Sequence, residues 1–178
     1  MDTHTTYFTA DGKEITVRPA IADDALDLLE LKKSYIKATR SLPLYEYEYK
    51  NGIREEKELI ERYIREENSL LLVAVHGNVL IGNLDITGSQ RKKLYHTGML
   101  GMGVAYTWHN KKAGSFLMES ALAWAQRSLL TVVWLEVYAT NLPGIRLYEK
   151  FGFEHCGLIK NFFNEEELVD KITMVKYV

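Results

Sequence analysis

The chain has 178 residues, 47% hydrophobic and 26% charged, which is ordinary for a globular protein and enough for one domain with a sizeable core. A formal charge of -2 argues against a strong attraction to nucleic acid or an anionic membrane, and no apolar run reaches bilayer-spanning length, so neither partner is expected. Cys156 is the only cysteine, which excludes an internal disulfide and fits a reducing compartment; the polar start Met1-Asp2-Thr3-His4 does not read as a secretory leader, so the cytoplasm is the expected location.

In chain order, residues 14–18 alternate as a strand does, Pro19 interrupts them, and Asp23-Asp24 give the acidic first turn of a helix. Leu28, Leu29, Leu31, Tyr35 and Ile36 can form that helix's buried face. Residues 40–52 read as a tyrosine-rich loop, in which Tyr45, Tyr47 and Tyr49 alternate with Glu46 and Glu48. A second helix is predicted over 55–67, with Leu59, Ile60, Tyr63 and Ile64 on one face and Asn68 as its stop. Strands follow at 69–75 and 79–85, joined by the tight turn His76-Gly77-Asn78, and a further glycine- and methionine-rich strand at 95–104. Residues 114–127 carry the clearest helical stripe, Phe116, Leu117, Ala121, Trp124 and Ala125. The apolar, β-branched run 131–138 reads as a buried strand, residues 143–151 as a short helix, and 153–159 and 169–177 as the last two strands. Asn164-Glu165-Glu166-Glu167 connects those two.

No repeat, low-complexity segment or linker interrupts this order, so residues 1–178 read as a single domain. The fold class is α/β (α+β) with a mixed sheet. Strand, helix and strand around residues 114–127 imply a parallel pair with a right-handed crossover. Cys156 reads as a small apolar core residue. The histidines and the cysteine show no metal-ligand spacing, so no metal is expected.

The most specific segment is Leu135-Glu136-Val137-Tyr138-Ala139-Thr140-Asn141-Leu142-Pro143-Gly144-Ile145-Arg146-Leu147-Tyr148-Glu149-Lys150-Phe151-Gly152-Phe153. It runs strand, asparagine turn, short helix, and it places Asn141 and Tyr148, two helical turns apart, near one cleft. The ordered series Asn141, Leu147, Tyr148, Glu149, Lys150, Gly152 and Phe153 resembles the corresponding region of the GCN5-related N-acetyltransferases (GNAT). Arg18-Pro19-Ala20 followed by Asp23-Asp24-Ala25 is similar to the usual opening of that family, so the resemblance spans nearly the whole chain. It implies a mostly antiparallel central sheet flanked by helices, with a splayed parallel strand pair. It also implies acetyl-CoA as co-substrate and transfer of its acetyl group to an amine.

The resemblance extends to the strand–loop–helix junction 102–115. A pyrophosphate there would take the N–H groups and dipole of a helix start. The implied cofactor contacts are Met102, Val104, His109, Asn110, Lys111, Lys112, Ala113, Gly114 and Ser115, together with Asn141 and Tyr148. Asn110 and Lys112 stand where glycine is usual, at positions that favour a positive φ, while Lys111 and Lys112 add charge beside the phosphates. A basic turn capping a helix is the alternative reading of this loop. The implied pantetheine contacts are the backbones of Met102 and Val104, with the Val104 N–H as donor to the thioester oxygen.

Tyr148 takes the general-acid role by its place in the segment; a half-buried core tyrosine is the alternative. Asn141 can bond the cofactor, order the turn, or do both. The base stays open among Glu46, Glu48, Asp85 and Glu136, with His96 and His109 also able to titrate near neutrality. In the family, residues 35–54 and 160–169 would build the acceptor side. Both are acidic and aromatic, through Tyr45, Glu46, Tyr47, Glu48, Phe162, Phe163, Glu165, Glu166 and Glu167, which suits a cationic small amine, a polyamine or the lysine side chain of a peptide or protein, or simply a solvated surface. A homodimer through the late strands is the implied assembly. A domain that binds acyl-CoA without efficient turnover is the rival function.

Overall fold

The computed structural model describes residues 4–178; residues 1–3, part of the polar start, lie outside the described residues. Eight strands form one sheet: β1 (Thr5–Phe8), β2 (Glu14–Pro19), β3 (Leu70–His76), β4 (Val79–Gly88), β5 (Thr97–Val104), β6 (Val132–Tyr138), β7 (Glu154–Asn164) and β8 (Leu168–Tyr177). Their order across it is β1-β2-β3-β4-β5-β6-β8-β7. Among the described residues four α-helices accompany them: α1 (Ala25–Ala38), α2 (Ile53–Arg65), α3 (Ala113–Ala125) and α4 (Leu142–Lys150). Every neighbouring pair is antiparallel except β5 and β6, which run parallel across the α3 crossover, as the sequence implies. No helix among the described residues is long and apolar enough to cross a membrane.

The period of two along β3 divides the core. Leu70, Leu72 and Ala74 join the cluster under α3, while Leu71 and Val73 join the cluster under α1 and α2. The predicted stripe of α3 is buried throughout, and so are Leu28, Leu31 and Ile36 of α1. Each such large apolar side chain contributes roughly 1.5–3 kcal/mol by leaving water. The β3–β4 hairpin closes over Gly77-Asn78, with His76 paired to Val79 and Gly77 at φ 58.

Four details differ from the sequence reading. β1 was not visible in the pattern: its residues are mostly exposed, and it is recruited by pairing with β2 and by Tyr7, whose ring stacks on Phe116 at 4.5 Å. On α2, Ile64 is 64% exposed, and the buried stripe is instead Glu56, Ile60 and Tyr63. A carboxylate is tolerated there because Lys32 meets it at 2.8 Å. Asn68 does not stop that helix, which ends at Arg65; its buried amide donates to the carbonyls of Ser89 and Tyr95 instead. Cys156 is exposed rather than core, because β7 is the outer strand of the sheet and carries no helix layer over that stretch.

Arg18, at the end of β2, forks onto Asp24 just before α1, with bonds of 2.7 and 2.8 Å, and the Ile21 N–H adds a third at 2.8 Å. Burial pushes the Asp24 carboxyl up, but the Arg18 fork and the Ile21 amide outweigh it, and the net shift is below the ordinary carboxylate value of 3.8. A depressed folded pKa stabilises the protein above the unfolded value and loses that effect as pH falls through the folded value. Asp24→Asn should therefore unfold at lower urea than the parent at pH 7, by about 1–2 kcal/mol. The gap should narrow on acidification below about pH 4, and a gap that stays constant from pH 7 to pH 3 would contradict the assignment.

Candidate active site

β5 and β6 pair only at Thr97–Val132, Gly98–Val133 and Met99–Trp134, yet β5 runs on to Val104 and β6 to Tyr138. Beyond Met99 the two strands part. Each stays paired on its other side, β5 to β4 as far as Val104 and β6 to β8 as far as Tyr138. The gap is thus a slot between two intact half-sheets. The Ala105 N–H bonds the Ile81 carbonyl at 2.9 Å, which sets the alternation of the β4–β5 ladder. Val104 opposite Gly82, and Met102 opposite Leu84, then fall at positions whose backbone groups turn away from β4, toward the slot. The Val104 carbonyl accepts from the His109 ring at 3.1 Å.

A cavity of about 630 Å³ fills the slot and its mouth. Its size suits a ligand site. Of the predicted cofactor contacts it brings together Met102, Val104, His109, Asn110, Lys112, Ala113, Gly114, Ser115, Asn141 and Tyr148. Lys111 is not among the lining residues: its ammonium donates to the Thr107 carbonyl at 2.8 Å and lies 5.1 Å from the centre of the Trp108 ring. The end of α1 adds a wall from Tyr35 and residues 38–42, which the sequence had suggested only for the acceptor side.

The loop before α3 takes its shape from two left-handed residues, Asn110 at φ 61 and Lys112 at φ 65. The positive φ expected where glycine is usual is therefore present without glycine. Lys112 occupies the N-cap of α3, and Phe116 is the first residue of the helix to bond back to it. The N–H groups of Ala113, Gly114 and Ser115 have no helical carbonyl to meet, and all three residues line the cavity. Three free amides, a helix start and the Lys112 charge fit an anionic diphosphate by donor chemistry and by sign.

Asn141 caps α4: its side-chain oxygen accepts from the Gly144 N–H at 3.1 Å, with Pro143 in the first turn. Its amide nitrogen has no partner among the described residues, and Asn141 lines the cavity, so capping and ligand contact are compatible. Tyr148 is 8% exposed and packs edge-on against Phe153 at 6.0 Å. Burial pushes its phenol up to about 12, so it holds its proton throughout the neutral range. No buried polar side-chain atom among the described residues lacks a partner, and this phenol has no protein partner, so its oxygen must open onto the cavity.

Of the candidate bases, His109 lines this cavity with its ring bonded to the Val104 carbonyl, and the carboxylates lie elsewhere. Among the described residues, no carboxylate lines this cavity. Asp85 is held by Tyr63 at 3.2 Å and Thr87 at 3.4 Å beneath α2; burial raises its carboxyl, and Lys32, Tyr63 and Thr87 only partly offset that. Glu136 pairs with Lys171 at 2.6 Å, and His96 is exposed. Glu46 and Glu48 line a second cavity of about 550 Å³, together with Tyr45, Tyr47, Tyr138, Phe162, Phe163 and Glu165. The structure thus joins the two acidic, aromatic segments that the sequence had set apart. A bulge in β7 between Ile159 and Phe163, with Asn161 at φ 55, turns the phenylalanines toward it. The Tyr138 ring stacks on Phe163 at 3.7 Å, and its phenol donates to Glu165 at 2.8 Å. Thr39, Arg40 and Leu42 line both cavities, so the two adjoin. No group of three or more metal-ligating side chains occurs among the described residues.

A parallel pair that splays over a helix start, with a capping asparagine and a protonated tyrosine at its inner edge, defines an acyl-CoA-dependent acyltransferase architecture. The chain belongs to the acetyltransferase (GNAT) family, whose sequence profile matches residues 33–153. It is 31% identical over 108 residues to an L-amino acid N-acetyltransferase of Escherichia coli, a match covering 60% of this chain and 66% of that relative, just under two thirds of its length. A GNAT-family acetyltransferase structure from Streptococcus pneumoniae superposes with a TM-score of 0.89 at 27% identity, over 92% of this chain and 99% of that one. A Salmonella typhimurium structure carrying acetyl-CoA as its cofactor shares the fold, with a TM-score of 0.83 at 16% identity over 92% and 93% of the two chains.

Lys112→Gly separates the loop's geometry from its charge. Relief of a left-handed lysine is worth about 1 kcal/mol and is partly offset by the freedom glycine adds to the unfolded chain. The melting midpoint should hold or rise slightly. Acetyl-CoA binding by calorimetry should weaken several-fold at low salt, with the deficit shrinking at high salt. A fall in the midpoint would mean that the lysine side chain, not its backbone, holds the loop.

Proposed function

We propose that residues 1–178 act as one acetyl-CoA-dependent N-acetyltransferase domain that passes an acetyl group directly to a primary amine. The observation that carries this reading is the slot between β5 and β6, with unpaired backbone on one lip and a protonated Tyr148 within it. Cys156 is exposed and lies outside both cavities, which argues against a covalent acyl-enzyme on that thiol.

Bound acetyl-CoA would supply a thioester whose acetyl carbon is open to attack by an amine. The amides of Ala113, Gly114 and Ser115, with Lys112 beside them, would hold its diphosphate. The slot-facing backbones of Met102 and Val104 would pair with its amide-bearing arm as an added strand does. The Val104 N–H would polarise the thioester oxygen. Tyr148 would give its phenolic proton to the leaving sulfur.

The adjoining second cavity is the proposed acceptor side. Its five rings and the carboxylates of Glu46, Glu48 and Glu165 favour a cationic amine, through charge and cation–π contact. The Escherichia coli relative, an L-amino acid N-acetyltransferase, adds support for a small amine such as an amino acid. A homodimer through β7 belongs to the same proposal and would cover the exposed Leu158 and Ile159. A second reading, acyl-CoA binding without turnover, retains one favouring observation, the lack of a carboxylate lining the slot among the described residues.

The test is thiol release from acetyl-CoA with a panel of L-amino acids, diamines and polyamines. At least one amine should turn over, and Tyr148→Phe should lower kcat by about 10²-fold or more while leaving acetyl-CoA affinity nearly unchanged. Equal activity in Tyr148→Phe would remove Tyr148 as the acid. Micromolar acetyl-CoA binding with no amine accepted would favour the second reading.

A further inference from the structure

Residues 39–52 connect α1 to α2 and hold only one short 3-10 turn, at Glu46–Glu48. A connection of this length with so little internal structure needs a tie to keep one shape. Two of its contacts are weak. Arg40 and Glu166 pair at 2.9 Å but are 78% and 79% exposed, and the Leu42 carbonyl accepts from the Tyr138 phenol at a long 3.3 Å.

The strong tie lies inside. Glu56, in the first turn of α2, is 0% exposed, and Lys32 of α1 is also buried. One carboxylate oxygen takes the Lys32 ammonium at 2.8 Å. The other takes the Tyr49 phenol and, at 2.9 Å, the Asn51 amide. Lys32 also lies 5.8 Å from the centre of the Tyr49 ring. Both oxygens are therefore satisfied, as a buried carboxylate requires. Apolar residues of similar size often stabilise a fold as well as a buried ion pair does. What they do not supply is direction: three donors on one carboxylate fix where Tyr49 and Asn51 sit, and with them the return of the connection into α2.

We infer that Glu56, which lines neither cavity, is the positioning residue of the acceptor wall, holding the 39–52 connection in shape through Lys32, Tyr49 and Asn51. This rests on the reading that the second cavity takes the amine. Glu56 acts on amine recognition through the wall and leaves the cofactor loop at the start of α3 untouched.

The experiment compares the parent with Glu56→Gln, Tyr49→Phe and the double variant Glu56→Gln/Lys32→Met, in which no buried ammonium is left unpaired. Hydrogen exchange of the 39–52 amides is one readout. The other is the pair formed by KM for the best amine of the panel and Kd for acetyl-CoA. Exchange over 39–52 should quicken about tenfold or more in both Glu56 variants, with β3 to β5 unchanged, as fits loss of hydrogen bonds to a buried charge. The amine KM should rise about tenfold in both, less in Tyr49→Phe, with acetyl-CoA Kd unchanged. The double variant should recover melting temperature without recovering KM. Parent-like exchange in the double variant, or an unchanged amine KM, would overturn the inference, as would KM and Kd rising together. If the parent transfers to no amine, the transferase reading fails by itself and the exchange data still decide the role of Glu56.

Discussion

Everything at the site follows from where β5 and β6 stop pairing. A sheet satisfies its backbone by continuity, and an interior strand that loses a neighbour exposes N–H and C=O groups that something else must meet. Here the loss is one-sided. After Met99 and Trp134 the two strands part, but β4 still holds β5 and β8 still holds β6. The slot is rigid because each lip belongs to an intact antiparallel sheet. The same parting leaves room for the start of α3 below one lip and for α4, with Asn141 and Tyr148, beside the other. A crossover helix packed on a fully paired sheet would leave no such space.

Backbone conformation, more than residue type, builds the anion end. Glycine is the economical residue at a left-handed position, yet Asn110 and Lys112 both adopt it. Asparagine does so at small cost, and lysine carries a strain of about 1 kcal/mol. Such strain persists only where neighbouring structure over-determines it. The 3-10 turn Tyr106–Trp108, the Lys111 bond to the Thr107 carbonyl and the His109 bond to the Val104 carbonyl brace the loop from within. The lysine therefore adds a positive charge at a place where the usual glycine offers none.

The parts legible in the sequence were those written in local period. The stripes of α1 and α3, the buried strand β6 and the Asn141 turn follow from residues close together in the chain. The illegible parts depend on partners far away. β1 has too little apolar pattern to announce itself and is held by Tyr7 against Phe116 and Ser120. Glu56 is buried because Lys32 of α1, far off in the chain, meets its charge, and nothing local to α2 announces that burial or the exposure of Ile64. Cys156 looked like core because cysteine usually is, but only the strand order reveals that its strand is the outermost one. The predicted cofactor contacts, all of which line the first cavity except Lys111, were nameable from the sequence. The contribution of residues 38–42 to both cavities was not, since it depends on where α1 ends relative to β5.

The two faces of the central strands differ in a way that bears on chemistry. On the α3 side the core is dry: Leu84, Ile86 and Leu100 pack against Leu117, Met118 and Ala121. On the α1–α2 side the same strands carry Asn83, Asp85, Gly101 and Gly103. Gly103 lies so close under the Tyr35 ring that a Cβ would overlap it, and Gly101 leaves space for the Asp85 carboxylate. Tyr35 donates to Asn83 at 3.1 Å, and Tyr63 donates to Asp85 at 3.2 Å. Burial raises both phenols and the Asp85 carboxyl, so each group in this layer is biased toward its neutral form. That layer supplies hydrogen-bond direction beneath β5. The charge on that side is concentrated instead in Glu56 with Lys32, which cancel, and in Glu46, Glu48 and Glu165 around the second cavity, where the negative sign outweighs Lys37 and Arg40. An approaching cation would therefore be drawn to the second cavity rather than to the buried layer beneath β5, and from there the shared wall of Thr39, Arg40 and Leu42 leads to the slot.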